Sequence, residues 1–453
     1  MKKNFHFKLS TTQTVMLSFF LAIFIGSILL ALPFSSASGK AVPYIDALFT
    51  ATTSICVTGL VTLPTVSTWS LFGQIIILIL IQIGGLGIIT IIFGLLIGLH
   101  KKIGIGDRIL IQDAFNLNTL SGLVKFVKKV FIGTFVVEGI GALLYMTVFV
   151  PEYGPRGIWI SVFNSISAFC NAGIDILSED SLCAYVSNPI INLTTCLLII
   201  LSGLGYIVWW DLLQVLKKFR KQKWKCFNSL TLHSKIALSA TGVLVLSGTI
   251  LFFIFEYNNP LTIAGFSFFD KLQASFFQSV TTRTAGFATI PQQNLTNASA
   301  IVSLLLMFIG GSPVGTAGGV KTVTIVVLVA SALATIRNKD DVVLFHRTIS
   351  KPSISKAVAV TSVSFIVMFT STVLLAAVTD ANALDIVYET MSATATVGLT
   401  RNLTSTLTIW GKIIIIITMY LGRVGPISLL LAFNTKKENK NIIKNPTEEI
   451  SIG

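Results

Sequence analysis

Long apolar runs alternate along the chain with shorter stretches of mixed character. Val15–Leu32, Ile75–Leu99 and Ile413–Phe433 are long enough to cross a bilayer. About 20 helical residues at roughly 1.5 Å each match a hydrocarbon core of roughly 30 Å. Segments such as Ile45–Ile55 and Leu384–Ala395 are apolar but dotted with hydroxyls. At about 11 residues they reach only halfway across such a core, which predicts re-entrant half-helices.

The half-helices repeat. Each is followed by one glycine, Gly59, Gly173, Gly286 and Gly398, at spacings of 114, 113 and 112 residues. Ten residues before these stand Phe49, Phe163, Phe276 and Tyr388, and six before stand Thr53, Ser167 and Ser392 in three of the four. A second glycine cluster follows 24 to 30 residues later: Gly84-Gly85-Leu86-Gly87, Gly203-Leu204-Gly205, Gly310-Gly311 and Gly422-Arg423-Val424-Gly425. Internal repeats of this kind define the architecture. The expected fold is an all-α polytopic membrane protein of four tandem helix–pore-helix–helix units. Eight spanning helices and four re-entrant half-helices are arranged with pseudo-fourfold symmetry around one pore. The units run over 1–122, 123–230, 231–350 and 351–434, with a cytoplasmic tail at 435–453. Extended backbone at membrane depth persists only where it is buried in protein or lines a wet cavity, hence the central pore.

Composition agrees. Of 453 residues, 53% are hydrophobic and 11% charged, with a mean hydropathy of +0.82; soluble chains carry about 25% charged residues. The net charge of +14 does not indicate nucleic acid, because most of the 33 Lys and Arg fall in five clusters, 2–8, 101–129, 217–235, 337–356 and 436–444. The positive-inside rule assigns these clusters and both termini to the cytoplasm of a multi-pass cell-membrane protein. The opposite face carries Asp46, Asp175, Glu179, Asp180, Asp385 and Glu389, an anionic surface that concentrates cations. The opening MKKNFHFK and its apolar run resemble a signal peptide, but the run is longer than a typical h-region and the first unit needs it, so a retained helix is expected. KKFRKQKWK at 217–225 suits either anionic lipid headgroups or an acidic partner surface. The five cysteines form no CxxC pair; Cys56 and Cys170 occupy a local slot, three before a glycine, held elsewhere by Arg283 and Ala395. His6, His100, His233 and His346 are scattered, and no HExxH, GxSxG or nucleotide loop is present, which argues against an enzyme. Four parallel units also differ from the inverted or paired repeats of alternating-access transporters.

The glycine turns carry the candidate chemistry. Glycine reaches positive φ without a Cβ clash, so it permits a sharp turn after each half-helix. The segments Cys56-Val57-Thr58-Gly59, Cys170-Asn171-Ala172-Gly173, Arg283-Thr284-Ala285-Gly286 and Ala395-Thr396-Val397-Gly398 can then aim backbone carbonyls at the axis. Those carbonyls belong to Val57, Thr58, Asn171, Ala172, Thr284, Ala285, Thr396 and Val397, none of which has a charged side chain. Rings of carbonyls replace the hydration shell of a weakly hydrated monovalent cation such as potassium, whereas carboxylate rings suit divalent or less selective passage. The bland alternative is that the glycines only allow close helix packing. With one glycine per segment the filter is looser than TVGYG, with modest selectivity against sodium.

These features resemble the Trk/Ktr/HKT superfamily of potassium transporters. The likeness rests on the fourfold pattern, SVTTRTAGF, GGSPVGTAGGVKT and GRVGP, and covers residues 10 to about 434. Within it the chain is similar to the KtrB type, without an additional N-terminal hairpin. The resemblance implies a homodimer in which each protomer has its own pore. It also implies a cytoplasmic nucleotide-binding ring of the KtrA type, ATP or ADP on that partner, and stimulation by sodium, with no covalently bound cofactor. A gate is expected as well. Gly310, Gly311, Ser312, Pro313, Gly315, Thr316, Ala317, Gly318 and Gly319 break the second helix of the third unit, because proline removes a hydrogen bond and glycine weakens the helix. In the family this stretch is an intramembrane loop that blocks the path. Arg423, in the middle of the last spanning helix, is a costly intramembrane charge. The family gives it a role in the constriction; the alternative is an ion pair with Glu138 or Glu389. Lys321 either caps a helix or snorkels. Arg283 is expected to tie its turn through carbonyls or Glu389 rather than to face the axis. The remaining functional alternatives are a TrkH-like or sodium-permeable cation transporter and an alternating-access transporter.

Overall fold

Four long helices carry the apolar runs that open each repeat: Thr11–Ala31, Leu123–Tyr153, Leu232–Glu256 and Lys351–Ala376. They come from a computed structural model that describes residues 11–99, 104, 112 and 122–425. The basic clusters at 2–8 and 436–444, most of that at 101–129, the tail at 435–453, His6 and His100 lie outside the described residues. Only 22% to 33% of each long helix's apolar window is buried within the chain. Exposed side chains such as Phe20, Phe135, Leu246 and Phe369 therefore form broad apolar faces. Faces of that extent call for lipid, since soluble monomers rarely expose such patches.

The pore helices are Tyr44–Cys56, Pro155–Cys170, Phe268–Thr281 and Ala383–Ala395, of 13, 16, 14 and 13 residues. Each packs against the long helix that precedes it. Phe49, Phe163, Phe277 and Tyr388 are fully buried anchors on these helices. In the third repeat the buried anchor is Phe277, while the expected Phe276 is only partly buried.

The second helices are shorter, and each begins at a side-chain cap. Ser70, Asn188, Thr296 and Thr408 accept from backbone N–H groups of the first turn, satisfying donors that have no partner inside the helix. The second helix is also less straight than its hydropathy suggests. Leu71–Leu86 turns by 96° into Ile88–Gly98 at Gly87, and Pro189–Leu204 turns by 97° into Tyr206–Gln222 at Gly205. Both glycines hold φ values of 83° and 86°, which only glycine adopts at no steric cost. In the third repeat Asn297–Phe308 and Thr322–Ile336 are separated by the irregular stretch 309–321. The last described helix, Ile409–Val424, stops at Gly425 with φ 90°. A short hairpin pairs Val343–Leu344 with Arg347–Thr348 between the third and fourth repeats.

Candidate functional site at the four glycine turns

Each pore helix is ended by its own residues. Thr58 N–H donates to the Thr53 carbonyl, Ala172 to Ser167 and Val397 to Ser392, each at 2.8 Å. The side chains of the same three acceptors reach forward. Thr53 Oγ1 accepts from Gly59 N–H and Ser392 Oγ from Gly398 N–H, both at 3.0 Å, while Ser167 Oγ accepts from Ile174 N–H at 3.1 Å. The third repeat uses Thr281, whose hydroxyl donates to the Phe287 carbonyl and whose own carbonyl accepts from Ala285 at 3.0 Å. Its hydroxyl thus sits five residues before the glycine rather than six. Together with Phe277 this places the whole pore helix one residue closer to its turn. The aromatic-to-hydroxyl spacing of one helical turn is kept in all four repeats: Phe49 to Thr53, Phe163 to Ser167, Phe277 to Thr281 and Tyr388 to Ser392.

Positive φ is not confined to the glycines. Val57, Asn171, Thr284 and Thr396, two residues before each glycine, have φ of 54°, 58°, 70° and 50°. Three of these are β-branched, a genuine outlier costing about 1–2 kcal/mol each. Strain of this kind persists only where the surroundings over-determine it, and it clusters at functional sites.

The four turns close on one another. A Cβ placed on Gly59 would lie 2.5 Å from the Ala172 carbonyl oxygen, one on Gly173 would lie 2.6 Å from that of Ala285, and one on Gly286 would lie 2.5 Å from that of Val397. A Cβ on Gly398 would meet the Thr58 oxygen, which closes the cycle. The eight carbonyls of Val57, Thr58, Asn171, Ala172, Thr284, Ala285, Thr396 and Val397 belong to residues with at most 1% exposure. Among the described residues none of these oxygens accepts a hydrogen bond. The hydroxyls of Thr58, Thr284 and Thr396 are likewise buried without a partner. Buried acceptors are almost always paired with a donor, an ordered water or an ion, so such a ring has the chemistry to hold a cation or water. The carbonyl-rich C-termini of four pore helices end there and add a partial negative charge.

A cavity of about 710 Å³ adjoins this ring, lined by Gly84 to Gly87, Ala317 to Lys321, Thr394, Ala395 and Arg423 among others. The stretch 309–321 is pinched at its neck, where Gly310 N–H donates to Val320 and Val320 N–H to Phe308. The second repeat holds its body: Ser312 N–H donates to the Gly203 carbonyl at 2.7 Å, and Tyr206 N–H to that of Val314 at 3.1 Å. A Cβ on Gly318 would collide with Thr396 and come within 2.6 Å of the Ala395 carbonyl. Gly315 packs as tightly on Ser202, and Pro313 on Gly205. The loop therefore contacts the second and fourth repeats, which face each other across the ring.

Arg423 donates from Nη1 to the Thr316 carbonyl at 2.7 Å and from Nη2 to the Gly84 carbonyl at 2.5 Å. It ties the loop to the bend of the first repeat. The ion-pair alternative does not hold: Glu138 accepts from Gln82 at 3.1 Å, and Glu389 accepts from Thr400 and Thr404. Lys321 donates from Nζ to the Ala317 carbonyl at 2.5 Å and so closes the loop end; it stands at the N-cap position of Thr322–Ile336 but its side chain caps no helix N–H. Arg283 reaches Thr241 on its repeat's long helix at 3.4 Å; Glu389 is not its partner. In the slot three before its glycine, the Cys170 side chain packs directly against Gly85 of the first repeat. Cys56, Cys170, Cys183 and Cys196 are free thiols.

Two ion pairs were not anticipated from the residues. Lys412 pairs with Asp46 and Arg401 with Asp385, at 2.5 Å and 2.6 Å. Both aspartates stand thirteen residues before a ring glycine, a coincidence of position that a search for paired charges would have found.

The family model described as TrkH, cation transport protein, matches residues 2–445. The chain belongs to this family of cation transport proteins. Among TrkH-family relatives it is 41% identical to the Ktr system potassium uptake protein B of Bacillus subtilis, over 97% of this chain and 96% of that one. It is 40% identical to the potassium/sodium uptake protein NtpJ of Enterococcus hirae, over 100% and 99%. The crystal structure of the potassium transporter TrkH from Vibrio parahaemolyticus superposes with a TM-score of 0.75 at 16% identity, covering 96% of this chain and 87% of that one. The fold class read from the repeats is thus the TrkH fold, within the Ktr/Trk superfamily, and the family is one of membrane transporters rather than enzymes.

Proposed function

We propose that the chain takes up potassium across the cell membrane through the carbonyl ring, which serves as its selectivity filter. The observation that carries this reading is the set of eight buried carbonyl oxygens without a protein donor, gathered where four glycines meet. Neutral dipoles at fixed positions suit a monovalent cation that sheds its water readily. The loop at 310–319, with Lys321 and Arg423, serves as the gate. Its contact with two opposite repeats and its tether to Arg423 support that role. Homodimerisation, a cytoplasmic nucleotide-binding partner ring that responds to ATP or ADP, and stimulation by sodium complete the proposal. The name of the Ktr system relative supports a partner subunit; homodimerisation, the nucleotide response and sodium stimulation rest on the resemblance of the motifs alone. The name of the Enterococcus relative favours a second reading, a filter that also passes sodium.

The test is initial uptake of rubidium and sodium by cells lacking their own potassium uptake, with and without a nucleotide-binding partner subunit. Wild-type protein is expected to prefer rubidium, and Gly286→Ser to lose about tenfold of that preference, since a Cβ at positive φ distorts the ring at about 1–2 kcal/mol. Equal uptake of both ions by the wild type supports the sodium-permeable reading. Absence of rubidium uptake from protein present in the membrane overturns the potassium assignment.

A further inference from the structure

The gate loop touches the filter on opposite sides, and on one side the contact is a hydrogen bond between side chains. At the strained position two residues before the glycine, three repeats carry Val57, Thr284 and Thr396, the last two with unpartnered hydroxyls. The second repeat alone carries a carboxamide. Asn171 Nδ2 donates to Thr316 Oγ1 at 3.1 Å, and Thr316 Oγ1 donates to the Phe169 carbonyl at 3.1 Å. Ser202 Oγ donates to Asn171 Oδ1 at 3.4 Å. The main chain of Thr316 belongs to the gate: its carbonyl accepts from Arg423. Asn171, Ser202 and Thr316 are all at most 1% exposed. Asparagine enters the left-handed region more readily than Val or Thr, so the carboxamide is not required to enforce the turn and is available for the loop.

We infer that the Asn171–Thr316 bond couples the loop to the filter, so that discrimination between potassium and sodium depends on the position of the gate. The inference rests on the filter and gate reading above. Displacing the loop removes two partners at once, leaving Asn171 Nδ2 and the Phe169 carbonyl unpaired at the wall of the ring. The fourth strand loses only its packing against Gly318, so the lost hydrogen bonds fall on the second strand alone. Asn171 and Thr316 act as positioning residues through the carbonyls beside them.

The test uses full-length protein in liposomes, with rubidium and sodium tracer uptake measured without any partner subunit. Thr316→Val removes the hydroxyl at nearly constant volume. It breaks both the bond from Asn171 and the bond to the Phe169 carbonyl, and it is expected to raise rubidium flux and to lower the rubidium-to-sodium ratio by at least about three- to tenfold, the effect of one net hydrogen bond. Thr316→Ser restores both. Asn171→Gly, which fits the backbone, lowers the ratio similarly, and the double variant is no worse than either single one. Independent, additive losses, or an unchanged ratio in Thr316→Val, would overturn the coupling. Gly310→Ala separates the two readings, because its Cβ collides with the loop's own Gly318 carbonyl and meets neither the bond nor a filter residue. If it raises flux while Thr316→Val leaves the ratio unchanged, the coupling alone fails. If it leaves flux unchanged, the gate assignment fails with it.

Discussion

Thr53 Oγ1, fully buried, is the acceptor that receives the Gly59 N–H at 3.0 Å. Replacing it by valine keeps volume and β-branching but leaves a buried N–H without a partner, at about 1–3 kcal/mol. Thr53→Val is expected to reduce the preference for rubidium over sodium about tenfold, with Thr53→Ser near wild type. Matched preferences in Val and Ser would remove the hydroxyl from the account. At this scale the sequence was legible where residue type and position recur together: aromatic, hydroxyl and glycine mark three pore helices directly. In the third repeat Val280 fills the expected hydroxyl position and Thr281 does the work, because the chain between pore helix and glycine is one residue shorter. A count from the glycine therefore selected Phe276 instead of the buried Phe277. The strain at Val57 and Thr396 left no trace at all, since a β-branched residue normally signals extended or helical backbone, not positive φ.

Among the elements, the second helices diverged most from their hydropathy. Ile75–Leu99 reads as one span because apolar content is blind to direction, yet Gly87 turns the chain by 96° within it. The glycine cluster was visible, but its meaning as a bend required its tertiary partners. The loop of the third repeat was legible from Pro313 and five glycines in thirteen residues. Its tether was not, because Arg423 bonds to two main-chain carbonyls, which carry no side-chain signature. Those bonds separate tethering from electrostatic repulsion in the proposed gate. Arg423→Gln removes the charge but keeps an amide donor, whereas Arg423→Ala removes both. Partner-independent rubidium flux is expected to rise in both variants and by about two- to tenfold more in Ala, one net hydrogen bond. Equal rises would assign the effect to charge alone and leave the tether without a role.

The whole molecule is held by cyclic closure: each ring glycine packs on a carbonyl of the next repeat, and the fourth returns to the first. Fourfold repetition in the sequence predicts that ring, but not how the seam between the first and last repeats is secured over more than three hundred residues. Lys412 contributes to that task by pairing with Asp46, which also accepts from Thr62 at 2.8 Å, alongside the hydrogen bonds from Arg423 to Gly84 and from Tyr420 to Met16. The side chains are 15% and 8% exposed, so the pair is substantially desolvated. Removing one partner leaves an uncompensated buried charge, which costs more than removing both. Lys412→Met is therefore expected to lower the melting temperature of the detergent-solubilised protein by about 2–5 °C, a loss of about 1.5–3 kcal/mol. Asp46→Asn combined with Lys412→Met should recover part of that loss, since the neutral amide still accepts from Thr62 and no carboxylate remains unpaired. If the double variant melts no higher than Lys412→Met alone, the seam is held by those hydrogen bonds and apolar packing between the first and fourth repeats, and the ion pair only decorates it.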